Sequence, residues 1–158
     1  MGAKSAAGES NPRAKEEEEE PRQGAGRGRS ERVKILLDTS VLIDVLRRRN
    51  GRCEALAVLV RAHESLATTS LNIAELYAGM RPGEEASTEA LLDGLECFDV
   101  TGAARLGGKL KNQWSKRGRT LSLADALIAA IAIEERCALL TDNRKDFPMS
   151  ELQLYSLR

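Results

Sequence analysis

Beyond residue 32 the chain alternates short apolar runs with longer stretches whose apolar positions recur at helical spacing. Val33–Leu37 is apolar except at Lys34, which is the pattern of a strand covered on both faces of a parallel sheet. Thr39 or Ser40 is placed to cap the helix that follows, with Val41, Leu42, Val45 and Leu46 on its apolar side. Further helices are predicted over 53–62, through Glu75 to a stop near Gly79 and Pro82, over 84–95 and over 103–116. A strongly apolar helix over 121–136, capped at Ser122, is the clearest of them. Strands are predicted at 66–69, 97–100, 138–141 and 152–157. Alternation of this kind predicts an α/β fold, a central, mostly parallel sheet of about five short strands between helical layers.

The first 32 residues are a different material. Apart from Met1 they hold no Val, Ile, Leu, Met or aromatic residue, so they bury too little apolar surface to offset the entropy of ordering. The reading is a disordered tail over 1–32 and one folded domain over 33–158. Its acidic run Glu16–Glu20 and basic stretch Arg22–Arg29 read as solvated charge. A start of the native protein near Val33 is the alternative, which mass-spectrometric peptides from 1–32 would exclude.

Charge is balanced, 24 basic against 24 acidic residues, so bulk electrostatics announce no nucleic-acid partner. That weighs against a passive binding module more than against a nuclease, which needs only a local basic rim. Aromatic residues make up 3%, too few for recognition by successive base stacking. No stretch has the apolar length to span a bilayer, and the N-terminus lacks the apolar core of a secretory signal. Cys53, Cys97 and Cys137 form no zinc spacing and read as buried apolar residues of a reducing compartment, hence a cytoplasmic protein. The only histidine, His63, sits in a predicted helix and reads as structural, which moves catalysis away from Ser-His-Asp chemistry.

Acidic positions remain. Asp38 ends the first apolar run, Glu75 lies in the apolar segment 71–79, Asp125 opens the long helix, and Asp142 or Asp146 follows the run 138–141. In an open parallel sheet the ligand site lies beyond the carboxyl ends of the strands, where these residues are predicted to converge. Singly, each has a plainer role: Ser122 to Asp125 is a capping box with Asp for Glu, Glu75 suits a helix surface, and Asp142-Asn143 suits a turn. Gathered in one cleft, carboxylates repel each other unless a hard divalent cation joins them. That reasoning leads to a metal-dependent nucleic-acid hydrolase.

The segments Leu36-Leu37-Asp38-Thr39-Ser40-Val41-Leu42-Ile43, Asn72-Ile73-Ala74-Glu75-Leu76-Tyr77-Ala78-Gly79, Asp125-Ala126-Leu127-Ile128-Ala129-Ala130 and Leu139-Leu140-Thr141-Asp142-Asn143-Arg144-Lys145-Asp146-Phe147 resemble, in that order, the PIN-domain ribonucleases. The match is nearest the VapC-type toxins of bacterial toxin–antitoxin pairs and extends from Val33 to Arg158. The resemblance implies a PIN-like three-layer sandwich, a Mg²⁺- or Mn²⁺-dependent endoribonuclease acting on tRNA, rRNA or mRNA, a homodimer, and silencing by a cognate antitoxin. By position Asp38, Glu75 and Asp125 match the family's first three acidic residues. The fourth is Asp142, nearer the strand end, or Asp146, which better matches the Asp-Phe ending. The tail over 1–32 departs from the family pattern.

In the expected mechanism Asp38 and Asp125 bind the metal, Glu75 and the last Asp assist, and an activated water attacks the phosphate in line. Thr39, Ser40, Thr141 and Asn143 are the supporting polar residues. Arg47, Arg48, Arg49 and Arg52 form one candidate patch for substrate phosphates, and Lys109, Lys111, Lys116, Arg117 and Arg119 another. The competing reading is a catalytically inactive PIN-like module that binds RNA or protein. Phosphatase and nucleotide-hydrolase readings fail, because Ser40 stands where a second Asp is needed and no Walker-type loop occurs.

Overall fold

The computed structural model describes residues 32–157, so the expected tail lies outside the described residues except for Arg32. Four parallel strands form the sheet: β1 (Lys34–Leu37), β2 (Ser65–Thr69), β3 (Glu96–Phe98) and β4 (Ala138–Leu140), in the order β3-β2-β1-β4. Around them run α1 (Thr39–Leu46), α2 (Arg52–Arg61), α3 (Ser70–Ala78), α4 (Glu85–Leu92), α5 (Ala104–Lys116) and α6 (Leu123–Glu134). The α/β alternation is as predicted, with helix ends shifted by one to three residues.

Strand β1 is central and sets the layers. Leu36 faces Ala67 on one neighbour and Leu139 on the other, and packs into a core with Leu110, Ile128, Ala129 and Ile131 of α5 and α6. Ile35 and Leu37 point the opposite way, into a second core with Val41, Leu42, Leu56, Leu59 and Leu76 of α1, α2 and α3. Alternate residues of one strand thus feed two buried faces, which is why the run reads as continuously apolar.

The predicted strand over 152–157 shrinks to one bridge, Leu139 with Leu154. The reason is the length of β4. Successive residues of a strand offer their backbone groups to opposite neighbours, so a three-residue strand whose outer residues pair with β1 presents only its middle one outward. Leu139 does this twice, donating its N–H to the Gln153 carbonyl at 2.8 Å and accepting from Tyr155 N–H at 2.8 Å. Leu154 still packs against one core and Tyr155 and Leu157 against the other.

Helices α5 and α6 approach closely at Gly107. A Cβ there would stand 2.7 Å from Leu127 Cδ2 and 3.2 Å from Leu127 Cα. Alanine ordinarily improves a helix over glycine by about 1 kcal/mol, but here it forces the pair apart. Gly107→Ala is expected to destabilise the protein by about 1–3 kcal/mol, read as a lower denaturation midpoint; an unchanged or raised midpoint would show that the helices can yield.

The cysteines are not uniformly buried, contrary to expectation. Cys137 is buried, Cys53 half-buried and Cys97 exposed, because β3 is the edge strand and its residue 97 faces outward. Burial pushes the Cys137 thiol up to about 11, against the opposing pull of Lys34. Since the thiolate is the nucleophile, iodoacetamide at pH 8 is expected to label Cys97 in the native protein and Cys137 only after unfolding. Equal rates at the two positions would contradict that placement. His63 lies just past α2 and not inside a helix as expected; it is exposed, with φ +61, where the chain leaves the helix.

Candidate active site

Strand order reverses at β1, since β2 and β3 lie to one side and β4 to the other. The crevice beyond the carboxyl ends of β1 and β4 is therefore where a parallel α/β sheet presents a ligand site. Asp38 stands there. Its backbone N–H continues the ladder to Leu140 O at 3.0 Å, and it is the N-cap of α1, with its Oδ1 accepting from Thr39 N–H at 2.8 Å. The cap is thus Asp38 itself, not Thr39 or Ser40: only the residue before the first helical turn, in extended backbone, can turn its side chain back onto those N–H groups.

Asp38 is almost enclosed and its carboxylate is saturated. Oδ1 also accepts from Asn72 Nδ2 at 3.2 Å, while Oδ2 accepts from the Thr141 hydroxyl at 2.6 Å and, more weakly, from Ser40 Oγ at 3.4 Å. Three strand ends therefore meet on it, through residues following β1, β2 and β4. Glu75 joins by one intermediary. Thr39 Oγ1 donates to Glu75 Oε2 at 2.5 Å and accepts from Asn72 Nδ2 at 2.9 Å.

Asn72 holds this arrangement together. It is fully buried, its two amide hydrogens go to Asp38 and Thr39, and its Oδ1 accepts from Thr69 Oγ1 at 2.6 Å. Thr69 caps α3 and its hydroxyl accepts from Asn72 N–H at 3.1 Å, a reciprocal cap with Asn in the place of Glu. Neither Asn72 nor Thr69 was among the expected site residues. The available signal was spacing: Asn72 lies three residues before Glu75, on the same helix face, as a polar residue inside an apolar segment.

The other acidic positions are engaged elsewhere. Asp125 is held at the start of α6, where Ser122 Oγ accepts its N–H at 2.9 Å and donates to its carboxylate. This is the capping arrangement foreseen, with the carboxylate taking the hydroxyl proton of the cap. Asp142 is paired with Arg52, and Asp146, in the 3₁₀ turn Arg144–Asp146, accepts from the Asn143 side chain. Asn143 N–H donates to Thr141 Oγ1 at 3.0 Å, which fixes the Thr141 hydroxyl that holds Asp38. Among the described residues no three acidic, His or Cys side chains gather closely enough to hold a metal ion. Asp38 and Glu75 are thus the carboxylates that the hydrogen-bond network joins.

The basic candidates divide in the same way. Arg47 is a fastening between α1 and the segment before α4: it binds Glu84 at 3.1 Å and holds that carboxyl below the usual range. Arg52 lies between Asp44 and Asp142, Lys111 donates to Leu121 O at 2.6 Å, and Arg119 donates to Lys145 O. Arg48, Arg49, Lys109, Lys116 and Arg117 pair with no carboxylate among the described residues, and Arg117 lies over the Trp114 ring, 5.0 Å from its centroid.

Comparison with known proteins agrees with this geometry. The PIN domain family matches residues 35–149. Ribonuclease VapC19 of Mycobacterium tuberculosis is 37% identical over 115 residues, covering 72% of this chain and 92% of the relative. Ribonuclease VapC2 of Haemophilus influenzae is 31% identical over 124 residues, covering 73% and 90%. The Rickettsia felis VapBC2 structure, bound to a DNA fragment from its promoter, superposes with a TM-score of 0.69 at 25% identity, over 78% of this chain and 98% of that one. The DNA-bound VapBC of Salmonella typhimurium gives 0.68 at 21% identity, over 80% and 99%, and speaks for the fold alone. The chain belongs to the PIN-domain family, within its VapC-type ribonucleases.

Proposed function

We propose that this protein is a metal-dependent endoribonuclease that hydrolyses RNA phosphodiester bonds and serves as the toxin of a toxin–antitoxin pair. The observation that carries the reading is Asp38, placed where strand order reverses, saturated with donors and joined to Glu75 through Thr39. The names of the relatives, Ribonuclease VapC19 and Ribonuclease VapC2, point the same way.

The donor set suits a hard cation. It consists of carboxylate and hydroxyl oxygens, with no thiolate or imidazole, and Mg²⁺ needs only one or two carboxylates because it keeps most of its waters. Glu75 and Asp38, the latter once its long 3.4 Å contact from Ser40 gives way, would hold Mg²⁺ or Mn²⁺, with Asp125 contributing once its carboxylate leaves Ser122 and Asp146 once it leaves Asn143. Such an ion supplies a water of lowered pKa and neutralises charge at the phosphate. The chain's own residues do the positioning. Asn72 fixes the Asp38 carboxylate and the Thr39 oxygen together, and Thr39 in turn directs its proton at Glu75. Arg48, Arg49, Lys116 and Arg117 form a rim for the flanking phosphates.

The test is incubation with a mixed tRNA and rRNA pool, with and without Mg²⁺, Mn²⁺ and chelator. Discrete cuts that need the ion and leave 5′ phosphates are the expected result; cyclic phosphates or cutting in chelator would sink the mechanism. The absence of a ready three-residue ligand group among the described residues favours one other reading, an inactive PIN-like module that binds RNA or protein. Retention of RNA with no cutting at any metal concentration would select it.

The same proposal includes a homodimer and a cognate antitoxin in the cytoplasm. The structural neighbour from Rickettsia is a VapBC assembly, and Val58, Val60 and Leu123 each leave more than half of their surface exposed, as apolar area for a partner. Among the described residues no helix is long and apolar enough to cross a membrane.

A further inference from the structure

Beside the acidic site, sharing Thr141 as a wall, lies a pocket of about 250 Å³ lined by Arg52, Asp142, Arg144 and Ser156. We propose that this pocket, between Arg52 and Arg144, is a subsite for an RNA phosphate flanking the one that is cut, and that the Asp142 carboxylate stands in for that phosphate until RNA displaces it. The proposal rests on the ribonuclease reading above and names where that substrate is gripped.

Arg52 carries the argument. It enters from the first turn of α2, its side chain is only 13% exposed, and its one close anionic partner among the described residues is Asp142. On its other side Asp44 stands 3.8 Å from Nε, too far for a hydrogen bond, and the Asp44 carboxylate already accepts from Asn50 Nδ2 at 2.6 Å. The buried Nε is left without an acceptor. A guanidinium presents five N–H donors in a planar fork that suits the oxygens of a phosphate better than a single carboxylate oxygen.

The second cation is set just as firmly. Arg144 Nη1 donates to Tyr155 O at 3.3 Å and to Ser156 Oγ at 2.9 Å, which aligns the group along the pocket wall, and the residue as a whole stays exposed. Asp142 is the mobile element. Its side chain is 45% exposed, so water receives it readily when it turns away, while its backbone N–H stays 3.5 Å from Ser40 Oγ. With Asp142 turned out, two arginines face Asp44 alone, and the pocket becomes net cationic. Thr141 lines the pocket and binds Asp38 at 2.6 Å, so a phosphate held here lies next to the acidic site on the same strand end.

The test uses the full chain in an Asp38→Asn background to read RNA binding without cutting, by filter retention of a mixed tRNA and rRNA pool over a range of salt. Arg144→Gln is expected to weaken retention about tenfold and to lower the salt slope by about one, as for one lost phosphate contact. Asp142→Asn, which removes the internal competitor, is expected to tighten retention several-fold, and Arg52→Lys to fall between wild type and Arg144→Gln. Asp142 and Arg144 are exposed, so their variants do not depend on tolerance of a buried change. With Asp38 intact, the same substitutions should move KM while kcat holds. Unchanged retention in Arg144→Gln and Asp142→Asn overturns the subsite, even if the wild type cuts RNA. A large kcat loss in Asp142→Asn at constant KM also overturns it, making Asp142 a catalytic carboxylate. Retention that responds as predicted in a wild type that never cuts would keep the subsite and remove the ribonuclease reading.

Discussion

Asp38→Asn is expected to lower RNA cleavage by about a thousandfold while leaving the protein folded. The substitution keeps the shape and the helix cap, because asparagine still offers an oxygen to Thr39 N–H, and Asn is as good an N-cap as Asp. What changes is the second oxygen. An amide nitrogen now faces the Thr141 hydroxyl, whose rotor reverses to accept, and the site loses the formal charge that Asp38 carries. The cost to stability is about 1 kcal/mol, one hydrogen bond re-formed in poorer geometry. Asp38→Ala serves as the contrast, since it removes the cap and leaves Asn72 and Thr141 without acceptors, so its melting temperature should fall well below that of Asp38→Asn. Activity lost equally in both variants, with stability lost only in Ala, would separate the chemical role from the structural one. An Asp38→Asn protein that cuts RNA at the wild-type rate would remove Asp38 from the site.

Asn72→Ala should be costly in both measures. It deletes three hydrogen bonds at a fully buried position and leaves Asp38, Thr39 and Thr69 each short of a partner. Unsatisfied groups together with the cavity put the loss at about 2–4 kcal/mol, visible as a lower urea midpoint with an unchanged slope. Activity per folded molecule should fall by about ten- to a hundredfold, as for other residues that orient a ligand without touching substrate. If activity corrected for the folded fraction is untouched, Asn72 supports the fold alone.

The difference between these two residues shows what the chain makes legible. Asp38 is conspicuous because it follows a buried run directly, at the carboxyl edge of a parallel sheet where a ligand site lies. Asn72 is inconspicuous because a single amide in an apolar helix breaks no period, and its importance arises from partners up to 34 positions away. The layers of the fold were readable from periodicity, since β1 feeds two cores and the middle of α6, from Ile128 to Ala132, is buried. Lengths were harder. The last strand was overextended because its pairing depends on how many residues β4 turns outward, which is a property of the neighbour. The expected convergence of four carboxylates stopped at two linked ones. Asp142 is drawn to Arg52, 90 positions earlier, and Asp125 to its own helix cap, and only the first of these pairings was beyond reach of local pattern.

The close contact at Gly107 bears on what remains to be assembled. Leu127, two residues past Asp125, rests against a glycine that leaves no room for even one added carbon. Helix α6 therefore cannot move closer to α5 at this point. In the proposed mechanism a torsion about the Asp125 side-chain bonds, begun by releasing Ser122, is the smallest movement that frees its carboxylate. A rotamer flip of that kind takes place on the picosecond-to-nanosecond scale, well ahead of any domain or helix movement.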